Sequence, residues 1–208
     1  MRWYPTLNRP FCLSKMELVF VGHQAFLGTI ATLLPRAARD SGPVESLERD
    51  DTAFVCPMYP DGLHVASVYD SKAMFRGSQV NMRNTIHRFG FVDEEDEPRL
   101  PMGSALGVSV WGSSWLIGSV EGDFARRDGG SVAYDAFFAA YTVANSLPGV
   151  KRLVCPPLGV GSGRLGFRPA AAQIANAYKD VLKMPEQKAV ATADARGIDC
   201  YIAMFKEA

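Results

Sequence analysis

Soft metal ligands are scarce in this chain of 208 residues: it has three histidines and four cysteines, and no two cysteines form a C-x-x-C pair. His23, His64 and His87 are scattered, and Cys12, Cys56, Cys155 and Cys200 stand far apart, so a structural zinc centre has no ligand spacing to rest on. The same scarcity excludes a disulfide-stapled miniprotein. Net charge is missing as well, since 22 Lys+Arg balance 22 Asp+Glu. Without a global field, binding to a nucleic-acid backbone or an anionic membrane needs a local patch, so neither is an expected partner. No long uncharged apolar run occurs either. The most apolar stretch, Met16 to Leu34, is interrupted by Glu17, His23 and Gln24 and starts too late for a signal sequence, which predicts a cytoplasmic protein. Internal repeats and interdomain linkers are absent from the pattern.

What is present is an ordinary globular composition, 48% apolar with 11% aromatic and 21% charged residues. Residues 1–15 mix Trp3, Tyr4, Pro5, Pro10 and Phe11 without period and read as an extended arm; residues 16–208 read as a single domain. Glu17 to Val21 predicts a strand closed by Gly22, followed by a helix that carries Phe26, Leu27, Ile30, Leu33 and Leu34 up to Pro35. Thr52 to Cys56, bounded by Pro57, predicts a buried strand and Leu63 to Val68 a weaker one; a helix follows from about Val80 to Phe89. The five acidic residues Asp93 to Glu97 read as a solvated loop. Leu106 to Val110 and Trp115 to Val120 predict an antiparallel pair, and Ser131 to Leu147 the strongest helix, with Ser131 as its cap. Lys151 to Pro156 predicts a buried strand, Pro169 to Leu182 a helix, and Cys200 to Phe205 a last strand. Alternating strands and helices broken by one hairpin give an α/β fold with a mixed sheet. Cys56 and Cys155, each ending an apolar run before proline, are expected as buried, reduced thiols.

The most informative segment runs from Leu153 to Pro169. Four glycines, Gly159, Gly161, Gly163 and Gly166, occupy eight positions between a buried strand and a helix. Such a loop lets backbone N–H groups of Gly159, Val160, Gly161, Ser162 and Gly163 converge, and the helix behind it adds unpaired N–H groups and partial positive charge. That suits a phosphate or diphosphate. Arg164 and Arg168 are positioned to add charge-assisted contacts, against the commoner fate of loop arginines, which point to water. Gly161-x-Gly163-x-x-Gly166 formally matches the dinucleotide fingerprint, but it comes near the end of the chain, behind Pro156-Pro157, with no second strand ending in an acidic residue at the required distance. A second loop, from Val65 to Asn81, leaves the weak strand and leads into a helix; with the glycine loop it would line a common cleft beyond the carboxyl ends of strands.

The Gly159 to Gly163 loop after Pro156-Pro157-Leu158, with the helix beginning near Ala170-Ala171-Ala172-Gln173, resembles the diphosphate loop of the macro domain, the ADP-ribose-binding module. Gly77-Ser78-Gln79-Val80-Asn81 with Ile86-His87-Arg88-Phe89-Gly90 resembles that family's ribose loop and helix, and Pro101 to Ala105 the turn before its central hairpin. The likeness covers about residues 16 to 184 in order. It implies a three-layer α/β/α sandwich with a mixed central sheet and a cleft for ADP-ribose or a related nucleotide, whose ligand-binding residues would be Gly77, Ser78, Asn81, Gly159, Val160, Gly161, Ser162, Gly163, Arg164 and Phe167. Phe167 would stack on a ribose or base. Tyr69-Asp70 stands where the family has Ala-Asn, and Gly22-His23-Gln24 where it has an adenine-contacting Asp. If an ADP-ribose linkage is hydrolysed, Asp70 is the catalytic candidate, positioning a water. No metal or cofactor is called for. The alternative from another class is a macro-fold protein-interaction scaffold that has lost nucleotide binding.

Overall fold

The computed structural model of the chain describes residues 16–42, 44–62, 78–101, 103–109, 115–120, 132–161, 164–183, 190–193 and 199–204. The expected arm, the weak strand over Leu63 to Val68, and Asp70, Gly77, Ser131, Ser162 and Gly163 lie outside these residues. In chain order the elements are β1 (Glu17–Val21), α1 (Gln24–Leu33), β2 (Ala38–Asp40), a 3-10 turn (Val44–Leu47), β3 (Thr52–Met58), α2 (Ser78–Arg88), β4 (Ser104–Ser109), β5 (Trp115–Val120), α3 (Val132–Ser146), β6 (Arg152–Cys155), α4 (Phe167–Val181), β7 (Val190–Ala193) and β8 (Asp199–Met204).

The strands form one sheet in the order β2-β1-β6-β3-β5-β4-β8-β7. The pairs β2/β1, β1/β6, β6/β3 and β3/β5 are parallel, and the pairs β5/β4, β4/β8 and β8/β7 antiparallel, so the α/β reading with a mixed sheet holds. Strand side chains alternate between two hydrophobic cores, as the period of two requires. Leu18, Phe20, Ala53, Val55, Ile117, Leu153 and Cys155 join α1, α3 and α4 on one face. Val19, Val21, Phe54, Cys56, Met58, Leu106, Leu116 and Val154 join Met82 and Ile86 of α2 on the other. Strands buried on both faces carry nearly continuous apolar runs, and this is why β3 is buried at all seven of its positions.

The expected elements appear with shifted ends. β3 runs through Pro57 to Met58, because its pairing with β6 ends at Phe54 while its pairing with β5 continues, leaving the proline where the strand has one partner only. α4 starts at Phe167, two residues before the expected Pro169, which still falls in the first turn where its missing N–H costs nothing. Leu182, expected to face inward, is 48% exposed just past the end of α4. Cys56 and Cys155 are free and buried, on opposite faces of the sheet, and each thiol donates to the carbonyl of the proline that follows it. The acidic run makes a turn closed by the Val92–Pro98 bridge. Asp93 accepts the N–H groups of Glu95 and Glu97, Glu97 pairs with Arg83, and Asp96 lies 3.4 Å from His87.

α3 and α4 pack against each other through aromatic and polar contacts. Tyr141 meets the edge of Tyr178 with centroids 5.6 Å apart, and the Tyr134 hydroxyl donates to Asp180, which also receives Lys183. Those two donors, Lys183 foremost, hold the Asp180 carboxyl below its ordinary range. Among the described residues, no helix is long and apolar enough to cross a membrane.

Candidate functional site

The parallel strands β1, β6, β3 and β5 all end at one edge of the sheet, and the chain leaves that edge in two directions. After β1, β5 and β6 it enters α1, α3 and α4 on one face; after β3 it enters α2 on the other. The central strand β3 lies between β6 and β5, so the connections diverge on both sides of it. Divergence of this kind opens a crevice outside the carboxyl ends of the strands, the usual seat of ligands in such sheets.

The glycine loop follows β6 at this crevice. Gly159 has φ +73°, and a Cβ there would come 2.8 Å from Leu165 Cδ1 and 3.6 Å from the Ala133 Cβ, so only glycine lets the loop sit against Leu165 and the start of α3. The loop closes on itself: Leu165 N–H donates to the Gly159 carbonyl at 2.8 Å and Arg164 N–H to the Gly161 carbonyl at 3.1 Å. Arg164 takes φ +52° to do so and its side chain is exposed, the common fate of a loop arginine. Among the described residues, the N–H groups of Val160 and Gly161 donate to none. Behind the loop, α4 begins at N-cap Gly166 with no side-chain cap. Its first turn therefore presents unsatisfied N–H groups and the positive end of the helix dipole.

The neighbouring helix start is already filled. The Gln173 side-chain oxygen accepts from Ala133 N–H at 2.9 Å and Tyr134 N–H at 3.3 Å, so α4 itself caps α3. Two first-turn donors of α3 are thus spent on a side chain, whereas no side chain caps the start of α4.

The loop after β1 touches the loop after β6. A Cβ on Gly22 would meet Pro157 Cδ at 2.9 Å, and the His23 ring lies on the Phe167 ring with centroids 4.5 Å apart and planes 6° apart. His23 is the N-cap of α1, its Nδ1 accepting from Ala25 N–H at 3.1 Å. The aromatic ring expected to stack on a ligand thus has one face covered by His23 and its body packed on the first core. Sequence reasoning singled out both residues, but nothing local joins positions so far apart in the chain. Next to each of them stands a residue lining a hollow of about 420 Å³: Gln24 on α1, with Gly28 and Thr29 beyond it, and Arg168 on α4.

The second expected loop is described only in part. Asp70 and Gly77 fall outside the described residues, while Ser78 and Asn81 lie in the first turn of α2. What holds that helix beside the crevice is visible: Arg83 donates to Asp61, in the turn after β3, at 3.1 Å and to Glu97 at 2.9 Å. Gly62, also in that turn, packs on the Arg83 backbone and Ile86.

No known protein-family model matches the chain, and no curated protein matches it.

Proposed function

We propose that the chain is a divergent macro domain, a three-layer α/β/α sandwich of the cytoplasm, that binds ADP-ribose or a related diphosphate-bearing nucleotide. One observation carries the reading: the uncapped start of α4 directly follows a self-closed glycine loop at the diverging strand ends. The diphosphate would lie on the N–H groups of the Gly159 to Gly163 loop and of the first turn of α4. One flank of the ligand then points toward the β3 side, where Gly77, Ser78 and Asn81 would hold a ribose. The other points toward β1, where Phe167 stands. A hydrolytic step at an ADP-ribose linkage would use Asp70 to position water, with the anchored diphosphate fixing the sugar that reacts.

A thermal-shift series with ADP-ribose, ADP and inosine 5′-diphosphate tests the binding. Ligand at a hundred times its dissociation constant stabilises by about 2.7 kcal/mol. Gly161→Glu places a carboxylate where phosphate would sit, on an exposed loop position, and is expected to abolish the shift while the melting temperature of the free protein stays near that of the parent. Retained binding moves the site elsewhere.

A second reading, a macro-fold scaffold for protein partners that has lost nucleotide binding, draws on the groups the protein already spends on itself. Gln173 occupies the start of α3, and His23 covers one face of Phe167. Absence of any shift across the nucleotide series favours it.

A further inference from the structure

We draw no further inference here: the strongest candidate, the hollow of about 420 Å³ walled mostly by the row Ala25, Gly28, Thr29 and Thr32 on the outer face of α1, with Arg168 of α4 beside it, is a stripe of small side chains on one helix, and nothing in the structure shows what covers it.

Discussion

Gln173 of α4 holds the start of α3 through Ala133, whose N–H lies 2.9 Å from the Gln173 side-chain oxygen, and Ala133 in turn lies under the glycine loop at Gly159. A single carboxamide therefore ties together the two helices and the loop that form one side of the crevice. A helix start loses about 0.5 to 2 kcal/mol when its capping side chain is removed, and more when the site is shielded from water. Gln173→Leu keeps the volume, removes this acceptor from the Ala133 N–H, and is expected to lower the unfolding free energy by about 1 to 2 kcal/mol. Gln173→Glu keeps the acceptor and adds a charge that the helix dipole favours, so it should lose little or nothing. Urea denaturation of the three proteins checks the order; a Leu variant as stable as the parent removes Gln173 from this role.

The phenol of Tyr141 gives the fold an alkaline limit. Burial, and then the neighbouring Tyr178, push it up to about 12 from the ordinary value of 10.0. Its unfolded counterpart ionises near pH 10, so between pH 10 and about 12 the folded state holds the proton more tightly than the unfolded state does. The stabilisation is complete below pH 10 and is lost as pH rises through this window, at up to about 1.4 kcal/mol per pH unit for one group. Tyr134 and Tyr178 are raised as well, burial again being the first cause, and add to the same slope. Melting temperatures measured from pH 9 to about 12 should fall steeply in the parent and less steeply in Tyr141→Phe. Equal slopes would mean that the phenol does not control the transition.

How much of this was written locally in the chain depends on what holds each element. β1, α1, β6 and α4 were legible because their apolar residues recur at strand or helix spacing and Gly22, Pro35 and Pro156 punctuate them. β2 was not: Ala38, Arg39 and Asp40 are a mostly exposed edge, and only their register with Val19 to Val21 makes them a strand. β7 is likewise four residues defined by pairing with β8. The glycine loop could be found from composition, and at Gly159 its conformation requires a residue without a side chain. The groups around it could not. The expected cap Ser131 lies outside the described residues; the acceptor seen at the start of α3, Gln173, stands forty residues from Ala133 along the chain, and the contact of His23 with Phe167 exists only because β1 and β6 are neighbours in the sheet. Contacts that depend on strand order carry no local signal.

Gly107 shows the same dependence in the packing, and it gives a test of how closely α3 lies on the sheet. It sits in β4 opposite Tyr201 of β8 and Ile117 of β5, and a Cβ there would come 2.7 Å from Val143 Cγ1 and 3.4 Å from Leu147 Cδ2. Val143 is fully buried and β-branched, so its methyl cannot swing aside as a long side chain would. Gly107→Ala must push α3 off the strand or force an off-rotamer valine, and overpacking of that kind costs about 1 to 3 kcal/mol. Val143→Ala alone leaves a cavity and costs about as much by the opposite mechanism. Combined, the methyl that Gly107→Ala adds fills part of the space that the valine vacates, so the double variant should be more stable than the sum of the two losses predicts, with a coupling of about 0.5 kcal/mol or more. Additive losses in a double-mutant cycle would place α3 farther from β4 than this packing requires.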